Sequence, residues 1–486
     1  MDQSKRPLVQ ALKQFKERNP VTYHVPGHKS GLLDETGLLK GIGEYDVTEL
    51  SLLDDLHAPE GAIKEAMNLL ASHYGSQSSY FLVNGTTVGN LTMMLASCNP
   101  GDTVFIARNS HKSIIHACML SKVHPVFLDP SVHPDSLTPE GISLEVLKEA
   151  LRRYPDAKAL VLTYPTYYGH TYGIQTLMEE AHGQDLIVLV DEAHGAHFTL
   201  GVPFPESALA LGADVVVQSA HKTLPAMTMG SFLHIGTDRV KQNKIEKYLG
   251  MLQSSSPSYP IMASLDGARS YLATIRQADV EYLLALRQQL IKELIAIPNV
   301  TVIEADDPLK LMIRVHPLSG FMLQEELEKY AIYAELSDPQ QVLFILPLLK
   351  QGIAFSIDRT IEAIKKIASK SDVEADEEIL IKELPSIEKP VMELAVSLSE
   401  MEVTESKWIS LSQAEGKISA AAIIPYPPGI PYLLAGEKIT RNKIDQLQKW
   451  NNQKVRFQGE QRIANGLIKI VDSAYFEAEH HNGGVQ

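Results

Sequence analysis

From about Gly75 to about His234 the chain alternates between short apolar runs and stretches long enough to be helices. The runs are "SYFLV", "TVFIA", "HPVFL", "AKALVLT", "DLIVLV" and "ADVVVQ"; stretches such as "TVGNLTMMLASC" and "LEVLKEALRRY" lie between most of them. Runs that are apolar throughout, with no polar face, suit strands covered on both sides. Strand–helix alternation predicts a mostly parallel, doubly wound α/β domain, and in such domains ligands bind beyond the carboxyl ends of the strands.

A chain of 486 residues is too long for one core, so two or three domains are expected. Residues 1–70 read as an N-terminal segment and 71–265 as the large domain. Residues 266–370 read as a long connecting helix, "DGARSYLATIRQADVEYLLALRQQLIKELIAI", followed by a small α+β domain. A charged linker ending in proline occupies 371–390, and a C-terminal α+β domain 391–486, with the tail "HHNGGVQ" read as disordered. Lys and Arg number 44 against 59 Asp and Glu, a formal charge of −15 that argues against nucleic acid as a partner. Cys98 and Cys118 read as small buried core residues, too few for a disulfide framework or a metal cluster. The N-terminus has no apolar core of the kind a secretory signal carries. The apolar stretch "SAAAIIPYPPGIPYLLAG" is broken by four prolines and does not suit a spanning helix. A cytoplasmic protein with no membrane partner is the expectation.

Four strand ends carry the residues of interest. In "SAHKTLPAMTMGSFLH", Lys222 follows the run "GADVVVQ" with no carboxylate beside it in sequence. A lysine there either snorkels to the surface or is kept desolvated as a nucleophile. In "LIVLVDEAHGAHF", Asp191 directly ends a strand, where a carboxylate is costly unless something positive meets it. In "FLVNGTTVGNLTM", Gly85, Thr86 and Thr87 offer a permissive glycine, two hydroxyls and a helix start, which suits a phosphate. In "FIARNSHKSIIHA", His111 follows another strand end. Singly, each has a plain reading as a cap, a turn or a core histidine. Together they match what pyridoxal 5'-phosphate requires: a lysine for its aldehyde, an acid for its ring nitrogen, a phosphate cup and a flat neighbour for its ring.

Asp191, His194 and His197 could be written as a metal set, but a strand end does not gather that spacing on one face, so no metal is expected. "HVPGH" has Pro26 between His24 and His28 and reads as a rigid turn or a substrate contact. "PYPPGIP" reads as a packed extended segment in preference to a partner motif. Glu437 and the pair Asp54–Asp55 are candidate carboxylates for a substrate's distal cation, with capping or surface solvation as the commoner use.

The segments "HVPGHKSG", "NGTTVGN", "RNSHKS", "DEAHGAH", "SAHK", "SSSPSY" with "ASLDGAR", and "PYPPGIP" resemble the fold-type-I ornithine/lysine/arginine decarboxylases in their short bacterial form, which lacks the N-terminal wing domain. The resemblance runs from His24 to Pro431. It implies an aspartate-aminotransferase-like large domain with a mostly parallel sheet, a small α+β domain and a C-terminal α+β domain. It implies that Lys222 bonds the cofactor, that Asp191 meets the ring nitrogen and that His111 stacks on the ring. It also implies that Gly85, Thr86, Thr87 and Ser219 hold the phosphate. Ser255 matches a phosphate contact that the family supplies from a neighbouring subunit, so a homodimer is implied. His194 and His221 match positions lining the ring and the lysine, which makes Lys222, His111, Asp191, His194 and His221 the catalytic set. The reaction implied is decarboxylation of a basic L-amino acid, arginine before lysine or ornithine, toward polyamine precursors. The stretch "TLPAMTMGS" departs from the family pattern, with Pro225 and Met229 in a loop that lines the pocket. Another reaction of the same fold and cofactor, aminotransferase or lyase, and a non-catalytic cofactor-binding protein are the alternatives.

Overall fold

The computed structural model describes residues 1–370, 389–425, 429–452, 455–459 and 461–472. In chain order the first part runs α1 (Pro7–Glu17), α2 (Ala62–Tyr74), β1 (Ser78–Leu82), α3 (Gly85–Ser97), β2 (Thr103–Ala107), α4 (Lys112–Ser121), β3 (His124–Leu128) and α5 (Leu144–Arg153). Then come β4 (Ala159–Thr163), α6 (Ile174–Gly183), β5 (Ile187–Asp191), β6 (Val215–Gln218), α7 (Ala220–Thr223), β7 (Ser231–Ile235), α8 (Gln242–Leu252) and α9 (Tyr259–Ala273). The chain continues through α10 (Gln277–Ile295), β8 (Val300–Glu304), β9 (Lys310–Val315), α11 (Gly320–Glu328), β10 (Leu336–Ser337), β11 (Val342–Ile345) and α12 (Asp358–Ser369). Residues 371–388 of the charged linker lie outside the described residues. Beyond it stand β12 (Val391–Glu393), α13 (Leu398–Met401), β13 (Ser406–Ser410), β14 (Ile423–Pro425), α14 (Arg441–Asn452), β15 (Phe457–Gly459) and β16 (Leu467–Val471). Residues 426–428 of the proline-rich stretch and the tail from 473 are likewise outside. Among the described residues no helix is long and apolar enough to cross a membrane.

The fold is mixed α/β with a mostly parallel central sheet. All six apolar runs are strands, β1 to β6. The chain forms two compact units, neither contiguous in sequence. The first comprises Met1–Ser97, Ser131–Gly141 and the residues from Leu162 on to the linker; the second comprises Cys98–Pro130, Ile142–Val161 and the residues beyond the linker.

In the first unit β5 and β6 pair in parallel, β6 pairs antiparallel with β7, and β7 antiparallel with β1. β7 lies in the stretch "SFLHI", which the sequence pattern does not separate from the loop after Lys222. β5, β6 and β7 are buried at every residue, as a strand covered on both faces should be. Helix α3 lies close on this sheet because Gly89 has no side chain. A Cβ there would stand 2.5 Å from Val217 Cγ1 and 2.8 Å from Leu82 Cδ1. A second, antiparallel sheet has the order β10-β11-β9-β8. Along β9 the side chains alternate. Leu311, Ile313 and Val315 join Leu290, Leu294, Leu323, Ile361 and Ile364 in one core, while Met312 joins Tyr168, Leu336 and Leu343 in another. The long helical region predicted after Asp266 is two helices. Asp279 accepts the backbone N–H of Arg276 at 2.8 Å, so a new helix starts there after the break.

In the second unit β2 pairs in parallel with both β3 and β4, and β12 pairs antiparallel with β3. Further on, β13 pairs with β16 and β14 with β15 over a core that includes Leu411, Ile439, Ile444, Leu447 and Ile468. Cys98 and Cys118 are buried, as expected.

The contact at Gly89 yields a prediction. Gly89→Ala forces a methyl into a packed helix–sheet seam and lowers stability by about 1–3 kcal/mol. Thermal unfolding of the full chain checks this; an unchanged midpoint would show that α3 can lift from the sheet without cost.

Candidate active site

Parallel pairing places the carboxyl ends of β5 and β6 side by side, with Asp191 opposite Val217. Asp191 is the last residue of β5 and is buried. Its Oδ2 accepts from Asn90 Nδ2 at 2.9 Å, and its Oδ1 accepts from the backbone N–H of Ala193 at 3.2 Å. Asn90 comes from α3, next to the glycine that lets that helix approach. After β6 the chain passes through buried Ser219 into the single turn of α7, which carries His221 and Lys222.

Lys222 Nζ lies 3.0 Å from His194 Nε2. Part of the lysine's surface remains open, yet its amine is packed round closely enough that desolvation pushes its pKa below the ordinary lysine range, against the pull of Asp191 and Glu335. Burial, and then the neighbouring Lys222 and Lys310, hold the His194 pKa well below its usual value, so its imidazole is neutral. His221 Nδ1 meets the carbonyl of Gly230 at 3.0 Å, and burial lowers its pKa as well.

The phosphate-cradle candidates converge on the same unit. Gly85 has φ +76°, a conformation open to glycine, and opens α3. Its N–H donates to the carbonyl of Met229 at 2.9 Å, so the divergent loop after Lys222 is tied to the start of α3. Thr86 Oγ1 lies 3.2 Å from Ser219 Oγ, and Thr87 stands exposed on the same turn. The donors of the first turn of α3 and three hydroxyls are groups of the kind that bind an anion.

Two further sequence candidates have local partners or neighbours of their own. His111 caps α4 in the second unit, where its Nδ1 meets Ser113 Oγ at 2.8 Å and accepts from the Ser113 N–H. Ser255 is exposed on the loop between α8 and α9; its neighbour Ser254 donates its N–H to Asn84 Oδ1 at 3.5 Å. The carboxylates weighed for a substrate's distal cation have structural partners. Asp54 accepts backbone N–H groups of Asp55, Glu60, Gly61, Ile63 and Lys64, organising the entry to α2. Glu437, in the second unit, accepts from Arg108 and the Leu434 N–H and pairs with Lys443. His28 bridges Asp46 at 3.0 Å and the Gly31 N–H, the rigid-turn reading. His197 is fully buried against Asp307 Oδ1 at 3.0 Å.

Sequence reasoning missed Asn90, Tyr167, Lys310 and Glu335. Lys310 opens the strand "KLMIRV", where Arg314 and the nearby Asp306 and Asp307 give it the look of an ordinary charged strand edge. Asn90 sits in the quoted "NGTTVGN" and is recognisable only once α3 is seen to face Asp191.

A desolvated amine, a buried acid with its own hydrogen-bond partner, and a hydroxyl-lined helix start fit pyridoxal phosphate, and the molecule is of the class that works with it. The comparisons narrow the class. The model of the Orn/Lys/Arg decarboxylase major domain matches residues 6–304, and that of the Orn/Lys/Arg decarboxylase C-terminal domain matches 378–476. The chain belongs to the Orn/Lys/Arg decarboxylase family, whose members are pyridoxal-phosphate-dependent amino-acid decarboxylases, and it is an enzyme of that kind. It is 45% identical to "Uncharacterized protein YaaO" of Bacillus subtilis, over 97% of this chain and 99% of that protein. It is 36% identical to the arginine decarboxylase of Bacillus subtilis, again over 97% and 99%. The constitutive lysine decarboxylase structure of Escherichia coli shares the fold, with a TM-score of 0.80 at 20% identity, covering 97% of this chain and 82% of that one.

Lys222 gives a prediction about stability. Its folded pKa is lowered, so its contribution is full above the unfolded lysine value of 10.5 and is lost as pH falls through the folded value. Lys222→Met therefore stabilises the cofactor-free chain by roughly 0.5–2 kcal/mol, with a gain that grows as pH falls from 10.5. Unfolding midpoints of both proteins across pH check this; equal midpoints throughout would show that the amine is well solvated.

Proposed function

We propose that this enzyme decarboxylates L-arginine, releasing CO2 and agmatine, a polyamine precursor. The observation that carries the choice of arginine is the 36% identity, over nearly the full length of both chains, to an arginine decarboxylase. Lysine and then ornithine are the other family substrates to be compared. The reaction converts a Cα–carboxylate bond into a Cα–H bond, taking up one proton and losing CO2.

Pyridoxal phosphate, when bound, supplies an aldehyde and a ring that takes up the electron pair as CO2 leaves. The rest is the work of side chains. Lys222 presents an amine that burial keeps ready to act as a nucleophile. Asp191, held by Asn90, would keep the ring nitrogen protonated. Thr86, Thr87, Ser219 and the first turn of α3, opened by Gly85, would hold the phosphate. His111 would stack on the ring, and His221 would line the site. After CO2 has left, a proton must reach Cα; Lys222, once it has taken up the proton brought in by the substrate's α-ammonium, or a nearby histidine is the donor, and His194 stands 3.0 Å from the lysine amine.

The working unit is read as a cytoplasmic homodimer in which Ser255 of a second copy joins the phosphate site. Its support is a run of exposed apolar side chains, Val21, Tyr23, Leu32, Leu33, Leu38 and Leu52, on a segment without helix or strand. Sedimentation equilibrium should give twice the 53.7 kDa chain mass or a multiple of it. A monomer at micromolar concentration would remove this reading.

The test of function is CO2 trapping from purified enzyme with arginine, lysine and ornithine supplied separately, with the amine product identified. Arginine should release CO2 fastest and yield agmatine, and Lys222→Ala should release none. Faster release from lysine or ornithine would overturn the substrate. Equal activity in Lys222→Ala would overturn the role of that residue.

A further inference from the structure

Tyr167 has both the reactive lysine and a second buried lysine within reach of its ring. Its ring packs on the His194 ring at 4.3 Å between centroids, tilted by 55°. Its carbonyl accepts from Lys310 Nζ at 2.6 Å. Its hydroxyl donates to Glu335 Oε1 at 2.6 Å. Lys222 Nζ stands 5.4 Å from the centroid of the same ring, within cation–π range.

Lys310 is an expensive way to hold a carbonyl. It is fully buried, and desolvation lowers its pKa to about 7. It opens β9 on the face that carries Met312, the face turned to Tyr168, so the alternation of the strand aims it at the Tyr167 loop. The loop is shaped to receive it. Gly169 has φ +91°, and a Cβ there would stand 2.7 Å from Lys310 Cδ. The Asp307 N–H donates to the Gly169 carbonyl at 3.0 Å, closing the loop onto the segment that leads into β9.

The histidine needs such a support. A catalytic imidazole is ordinarily fixed in orientation by a hydrogen bond at its second nitrogen. His194 Nδ1 is buried and has no hydrogen-bond partner among the described residues. What packs against the ring is the phenol of Tyr167. The charged and titratable groups around Lys222 and His194 are Asp191 and His197 from β5 and the loop after it, His221 from α7, Lys310 from β9 and Glu335 from the residue before β10.

We propose that Tyr167, clamped at its carbonyl by Lys310 and at its hydroxyl by Glu335, is a positioning residue whose ring holds His194 against the amine of Lys222. The inference rests on Lys222 as the reactive amine of the decarboxylase. It makes the antiparallel sheet part of the catalytic apparatus, since β9 and the segment before β10 supply the two ends of the clamp.

Two readouts test it. The first needs neither substrate nor cofactor. Lys222 of the cofactor-free, full-length chain is acylated with a small amine reagent from about pH 6 to about pH 10, and its peptide is quantified by mass spectrometry. Tyr167→Leu, which removes the ring and admits water to the amine, should move the labelling midpoint upward toward an ordinary lysine. Tyr167→Phe, which keeps the ring and the carbonyl anchor and loses only the hydroxyl end of the clamp, should move the midpoint less than half as far as Tyr167→Leu does. The second readout is steady-state kinetics of the holoenzyme. Tyr167→Leu should lose about tenfold or more in kcat with KM changed less than about threefold, and Tyr167→Phe should stay within about threefold in both. Lys310→Met keeps the bulk of the stem but removes the carbonyl anchor. It should move both readouts in the direction of Tyr167→Leu, and it decides the matter should the leucine variant not fold. Unaltered midpoints in Tyr167→Leu and Lys310→Met, or a Tyr167→Phe indistinguishable from Tyr167→Leu, would overturn the proposal. If no basic amino acid yields CO2, the labelling midpoints still decide it, so its failure and that of the functional reading remain distinct.

Discussion

The site depends on one constraint, an amine and a carboxylate brought to neighbouring strand ends and both removed from water. The parallel register of β5 and β6 sets Asp191 opposite Val217, and a single helical turn after β6 carries Lys222. Desolvation favours the neutral amine, while the two facing carboxylates, Asp191 and Glu335, favour the charged one. Desolvation wins, which is what a nucleophilic lysine requires. The same burial leaves His194 neutral beside it, so the pair can share a proton without carrying two positive charges.

The sheet that presents this pair is pinned by a polar row. Ser76 and Ser79 lie 2.7 Å apart, Ser79 meets His234 Nδ1 at 2.7 Å, and His234 Nε2 meets Gln218 Oε1 at 3.1 Å. Gln218 Nε2 then donates to Glu192, which also accepts from Ser207 Oγ and the Ala208 N–H. One direction of donation satisfies every member, with His234 a neutral Nε2–H tautomer. Burial raises Glu192 to about 7, while the three donors aimed at it favour its carboxylate form. Because strand residues alternate between faces, Glu192 and Asp191 serve different ends. Asp191 is turned to α3 and Asn90, and Glu192, just past β5, ties the end of that strand to β6 and to Ser207 and Ala208 in the segment before β6. A row satisfied in this way adds specificity of register without orphaned polar groups.

Strands β2 to β6 were legible because they are covered on both faces nearly throughout, which writes an uninterrupted apolar run into the sequence. Lys222 and Asp191 stood out because each breaks such a run at its carboxyl end. β7 was not legible, since its pattern merges with the loop before it. The break between α9 and α10 was hidden because the apolar pattern continues through it, and only the carboxylate of Asp279 turning back to Arg276 marks it. The partners of the site residues were illegible for another reason. Asn90 reaches Asp191 from 101 residues away, and Tyr167 lies 168 residues from Glu335.

By itself the sequence determined the class of fold, the first six strands of the chain, and the residues whose chemistry is costly enough to need a purpose. It did so because burial on both faces and a desolvated charge leave local marks. Tertiary structure alone decided which residues surround those groups. It set α3 close enough for Asn90 to hold Asp191, because Gly89 has no side chain to keep the helix off the sheet. It turned Lys310 toward Tyr167, because a strand's alternation aims a side chain only once its sheet has formed. Pairings across more than a hundred residues arise from packing between elements, and no local pattern encodes them.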